Sequence, residues 1–103
     1  MRTPGIDIIA EERNRQITEE GFTPEHDDSH DLGALAAASV CYMSIATLQA
    51  SNSTIGVNYP PPAAWPWDEK WWKPSDDPVV NLAKAGALAA AEIDRYNRME
   101  EAS

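Results

Sequence analysis

Residues Leu32 to Gln49 read LGALAAASVCYMSIATLQ and hold no charged side chain. Their apolar members, Leu32, Leu35, Val40, Tyr42, Met43, Ile45 and Leu48, fall on every side of a 3.6-residue helix. A helix that is apolar all round has to be covered by the rest of its chain. The expected plan is therefore a central helix over about 32–49, with alanines that let neighbours approach closely. The stretch is too short and too weakly apolar for a membrane span, which needs about 20 predominantly apolar residues. No membrane partner is expected.

Two further helices flank it. Residues 6–20 follow Pro4-Gly5 and stop at Gly21, a residue suited to the left-handed helix end. Their apolar stripe is thin: Ile6, Ile9 and Ile17 share a face while Ile8 stands apart. Glu12, Arg13, Gln16 and Glu20 lie in register with that stripe at i+3 and i+4 spacings. Such a helix is either a solvated surface element with internal ion pairs or the wall of a polar cleft. The last helix starts at Asp77-Pro78, an acidic cap with proline in the first turn, and runs to about 99. Val79, Leu82, Ala83, Gly86, Ala90 and Ile93 recur there at core-facing spacing. A glycine inside that stripe costs about 1 kcal/mol relative to alanine, which predicts a close crossing with the central helix at Gly86. The expected fold is mainly α: a small three-helix domain over 1–103, with a long Pro/Trp-rich arm over 50–77.

All four tryptophans, Trp65, Trp67, Trp71 and Trp72, sit in that arm, in the run WPWDEKWWKP. Each indole can bury roughly 150–250 Å² and carries one N–H that wants a partner. Pro60-Pro61-Pro62 stiffens the entry to the run as an extended spacer, and loops of this length are usually functional or disordered. One reading makes the indoles a plug on the helical core or a subunit contact. The other makes them a stacking platform, since a base on an aromatic side chain gains about 1–3 kcal/mol. Both can hold at a pocket between subunits.

Charge narrows the partner. With 17 acids against 8 bases the net charge is −9, and binding a polyanion depends on neutralising phosphates with Lys and Arg. Nucleic acid polymers are thus unexpected, whereas a local basic pocket for one small anion is compatible. A 103-residue chain has room for only a modest core, so a pocket is more easily built between copies, and a homo-oligomer is expected. The single Cys41 offers no internal disulfide, and the first residues lack the apolar core of a signal peptide. A cytoplasmic location in the host cell is expected.

The densest polar cluster is Glu25-His26-Asp27-Asp28-Ser29-His30. His26 and His30 are four apart, so with Asp27 or Asp28 they could hold Zn or Mn if this connector were helical. They are the only two histidines, and a catalytic site wants a third ligand of known position. The alternative is that these acids cap the central helix and the histidines hydrogen-bond across the connector. His26-Asp27 resembles the metal dyad of HD-type phosphohydrolases, but those enzymes need an earlier histidine and none precedes His26. The paired-acid cradle of MazG-like nucleotide pyrophosphohydrolases is also missing. No acid lies between Leu32 and Gln49, and Glu92-Ile93-Asp94 has the wrong spacing. There is no glycine-rich phosphate loop and no C-x-x-C. Cys41, Ser39 and Ser44 read as packing on the central helix. No cofactor is expected. The residues expected to contact a ligand are Arg13 and Gln16 from the first helix, His26, Asp28 and His30 from the connector, and Trp67, Trp71 and Lys73 from the arm.

Taken together, IAEERNRQI, EGFTPEHDDSH, WPW through WWKP, and KAGAL with AEIDR resemble a family of small phage and prophage proteins. The resemblance spans about Ile9 to Arg95, apart from the Ser/Asn/Pro loop. It implies a viral, intracellular context and carries no chemistry to individual positions. Small phage proteins that oligomerise and hold nucleotides often act as sponges for the cyclic-nucleotide or ADP-ribose signals of bacterial immunity, an analogy of context and not of motif. Two functions from different classes follow: a non-enzymatic, oligomeric binder of such a nucleotide, or a small metal-assisted phosphohydrolase using His26, Asp27, Asp28 and His30. A protein that blocks a host protein by direct contact is the third.

Overall fold

The computed structural model describes residues 3–28, with Asp28 by its backbone alone, and residues 33–102. Among these lie four helices, α1 (Pro4–Glu19), α2 (Pro24–Asp28), α3 (Ala34–Gln49) and α4 (Pro78–Ala102), with a 3₁₀ turn at Glu69–Trp71 and no strand. Each boundary has a local cause. Proline starts α1, and the chain leaves it through Gly21 at φ 74°, where the Phe22 amide reaches the Gln16 carbonyl at 2.9 Å. The Asp77 carboxylate accepts from the Val79 amide at 2.9 Å and so caps α4. In the connector, Thr23 and Pro24, residue types suited to a cap and a first turn, start the short helix α2. The Thr23 hydroxyl accepts from the His26 amide and its carbonyl from that of Asp27.

The core lies where α3 meets α4. Leu35, Ala38, Cys41, Tyr42 and Ile45 pack with Ala85, Leu88 and Ala91. The small residues bring the backbones close enough for the Ser39 hydroxyl to donate to the Ala85 carbonyl at 2.7 Å. Removing a Leu or Ile side chain from water contributes about 1.5–3 kcal/mol, so these few positions carry much of the fold. No described helix is long and apolar enough to cross a membrane.

Three expectations need correction. The central helix is not covered all round: Val40 is 60% exposed and Met43 46%, because α4 and the arm together cover only one side of it. The close crossing at Gly86 is with α1. A Cβ there would stand 2.8 Å from Ile9 Cδ1, while Ala85 faces α3. The buried stripe of α4 is also only partly the expected one: Ala83 is buried as expected, with Ala87 and Ala91. Val79, Leu82 and Ile93 face outward, and Asn81, Glu92 and Arg95 are buried with Ala85 and Leu88. Those polar groups bury because they find partners. The Asn81 amide donates to Gln49 Oε1 and to the Ser75 carbonyl, both at 2.9 Å, and Arg95 pairs with Glu92. A buried polar group with its hydrogen bonds made costs little, and hydrophobic periodicity cannot register that.

The same network anchors the arm. Gln49 Nε2 donates to the carbonyls of Ile55 (3.0 Å) and Ser75 (2.9 Å), and the Asp76 carboxylate takes the Val57 amide at 2.9 Å. Gly56 is required beside it, since a Cβ there would collide with the Asp76 side chain. The arm is therefore pinned at both ends against α3 and the start of α4.

Candidate functional site

Pinned in this way, the arm folds its tryptophans over the groove between α1, α3 and α4. Trp72 enters the core: it is 8% exposed, stacks on Tyr42 at 4.7 Å, and donates its indole N–H to the Tyr59 carbonyl at 2.8 Å. Trp65 meets Tyr42 edge-on at 5.7 Å and Trp67 at 5.4 Å, with its own N–H on the Asp68 carbonyl. Phe22 stacks on His26 at 4.8 Å and extends the aromatic wall toward Trp67. Trp71 alone turns outward, 54% exposed, with the Lys70 and Lys73 ammonium groups 5.4 and 5.5 Å from its ring centre. Different tryptophans of one run are thus placed differently: Trp72 plugs the core, and Trp71 stands exposed at the rim.

The rings of Phe22, His26, Tyr42, Trp65, Trp67 and Trp71 line a cleft of about 580 Å³, within the range of small-molecule sites. Helix α1 forms its polar wall with Glu12, Arg15, Gln16, Glu19 and Glu20, and Lys73 from the arm and Lys84 from α4 bring two more cations. In a chain of net charge −9, this cleft has as many cations as carboxylates.

Arg15 organises the α1 wall. Its Nε and one terminal nitrogen grip Glu12 at 2.8 and 2.7 Å, and the same nitrogen reaches Glu20 at 3.3 Å. Hydrogen bonding to Glu12 holds the guanidinium pKa above its usual value, against the opposing effect of burial. Lys84 behaves oppositely: burial lowers its pKa, partly offset by the charges of Glu12 and Glu20. Its ammonium donates to the Lys73 carbonyl at 2.8 Å and sits 5.5 Å above the Tyr42 ring. The Tyr42 hydroxyl accepts the Lys73 amide at 3.1 Å, and burial pushes its pKa up to about 12.

Of the residues expected to contact a ligand, the cleft gathers Gln16, His26, Trp67, Trp71 and Lys73. Arg13 stands apart, its guanidinium turned to the fully buried Asp27 at 2.9 Å and to the Phe22 carbonyl. The Asp28 side chain and His30 lie outside the described residues. Sequence reasoning passed over Arg15, Lys84 and Tyr42. The first two are simply two of the eight bases in the sequence, and Tyr42 is a core residue, as its place in the apolar run predicts, that also borders the cleft. The signal available was the i,i+3 Glu12/Arg15 pair in register with Gln16. Among the described residues no group of three His, Cys, Asp or Glu side chains could hold a metal ion. Cys41 is buried within α3, which raises its thiol pKa. No family model, curated protein or solved structure matches the chain.

Proposed function

We propose that this protein is a non-enzymatic binder of a small nucleotide, held in the tryptophan cleft. The observation that carries this reading is the composition of the cleft wall. Flat indole, phenol and imidazole faces surround a space of ligand size, and two ammonium groups, Lys73 and Lys84, stand at it in an otherwise acidic chain. Rings offer stacking to a base and the lysines offer charge to a phosphate. The resemblance to small phage proteins supports the more specific role of sequestering a nucleotide immune signal of the cyclic oligonucleotide or cyclic ADP-ribose type. A metal-assisted phosphohydrolase at His26 and Asp27 is less favoured, because Asp27 is wholly buried and paired to Arg13.

The outward apolar residues of α3 and α4, among them Val40, Met43, Ile93 and Tyr96, support a homo-oligomer as the working form. Light scattering at micromolar concentration reads that directly, and a monomer mass removes it. Calorimetry with cyclic dinucleotides, cyclic trinucleotides and cyclic ADP-ribose isomers tests the binding reading. Affinity for at least one class is expected. If every ligand fails at about 100 μM, near −5.5 kcal/mol, the indoles serve packing or a protein contact instead.

A further inference from the structure

Residues 32–67 hold no charged side chain, so every charge of this acidic chain lies before or after that run. Helix α3 falls wholly inside it. One side of α3 is buried through Leu35, Ala38, Cys41, Tyr42 and Ile45. The other side is open: Val40 is 60% exposed and Met43 46%, and Ala36, Ser44 and Thr47 are exposed with them. Depletion of charge is what distinguishes the core of a protein interface from other surface. The outward apolar residues of α4 lack that setting, since Ile93 and Tyr96 stand near the exposed Asp94, Glu100 and Glu101.

The order of residues on the open face identifies the partner. Ala36, Val40, Met43 and Thr47 follow one another at steps of four, three and four, so they form one narrow seam. The caps Gly33 and Ala50 extend it by a step of three at each end. Small residues thus flank the two large ones on both sides. Turning the helix end for end reproduces the pattern: Val40 falls opposite Met43, and Ala36 opposite Thr47. That is the condition for an isologous contact, in which residue i meets j while j meets i. The Thr47 hydroxyl already donates to the Met43 carbonyl at 2.9 Å, so burying it leaves no donor unpaired. Charge acts in the same direction. Two chains of net charge −9 repel one another, and least where neither presents a charge.

We propose, resting on the homo-oligomer inferred above, that α3 packs antiparallel on α3 of a second copy, across a two-fold axis between Val40 and Met43. Each copy then keeps its own tryptophan cleft, which α3 borders from its other side through Tyr42.

The test is analytical ultracentrifugation of the full-length protein and three variants at a common micromolar concentration. The wild-type protein should weigh two chains. Val40→Glu and Met43→Glu each bring two carboxylates into the seam and should weaken the dimer at least about tenfold, with helix content by circular dichroism unchanged. Ile93→Glu, on α4, should leave the dimer intact. Register is read by oxidation in a Cys41→Ala background: Val40→Cys chains mixed with Met43→Cys chains should form the mixed disulfide in preference to either like pair. An oligomer that survives both seam variants, or that Ile93→Glu alone dissociates, overturns the α3 seam and leaves the oligomer standing. Preference for like-pair disulfides overturns the antiparallel register. A wild-type mass of one chain removes the seam and the oligomer together. If the glutamate variants fail to fold, the disulfide pairing decides.

Discussion

Arg13 of α1 and Asp27 of α2 form an ion pair at 2.9 Å, with Asp27 wholly buried and Arg13 nearly so. This contact holds the Phe22–His26 wall of the cleft to the helix that carries Gln16. Removing one partner of a buried pair leaves the other charge uncompensated, at a cost of about 3–5 kcal/mol. An Arg13→Met variant should lose stability on that scale in urea unfolding. A change below about 1 kcal/mol would mean that the pair is incidental.

Adjacent tryptophans should behave in opposite ways. Trp72 lies in the core and Trp71 on the rim. Trp72→Ala is expected to cost about 3–5 kcal/mol of stability, whereas Trp71→Ala should leave the melting temperature nearly unchanged. The rim variant should instead lose about 1–3 kcal/mol of nucleotide affinity, with little dependence on salt. Thermal melts and calorimetry on the two proteins separate plug from platform.

Lys73 should show the complementary signature. It is exposed beside Trp71 and lines the cleft, so its attraction for a phosphate is screened by salt. Lys73→Ala should weaken nucleotide binding more at 10 mM than at 1 M ionic strength, where the screening length falls from about 30 to 3 Å. A salt-independent loss would point to packing in place of charge.

Gly86 offers a third contrast. Alanine there would gain about 1 kcal/mol of helix propensity, while its Cβ would press on the end of the Ile9 side chain. These effects nearly cancel, so Gly86→Ala should be close to neutral. Gly86→Leu overfills the crossing and should cost about 1–3 kcal/mol or more. Ile9→Ala in the Gly86→Leu background should recover part of that loss, measurable as a coupling in a double-mutant cycle.

Tyr42 predicts an alkaline limit. Burial raises its folded pKa from 10.0 to about 12, so the neutral phenol is favoured in the fold. The stability this represents, about 2–3 kcal/mol, is present below pH 10 and is lost as pH rises through about 12. Tyr42→Phe should lack that part of the decline when unfolding free energies at pH 9 and 11 are compared. Identical slopes for the two proteins would assign the alkaline loss to other groups.

Local signals in the chain were sufficient for α1, α3 and α4 to within a few residues at their ends, while the short α2 lies where a connector is expected. Pro4, Gly21, Asp77 and Pro78 act through bonds within a few residues, and the uncharged run through Leu48 could only become a core helix. Only the tertiary structure could decide which face of each helix is buried. Asn81, Glu92 and Arg95 fall outside the stripe whose spacing predicts burial, and they are buried because Gln49, Ser75 and an internal ion pair satisfy them. Candidate site residues divided on the same ground. Gln16, His26, Trp67, Trp71 and Lys73 meet in one cleft, while Arg13 was drawn to a buried carboxylate fourteen positions away. Propensity and capping are properties of neighbours in sequence. The burial of a charge or an amide depends on partners that only the folded chain brings within hydrogen-bond reach.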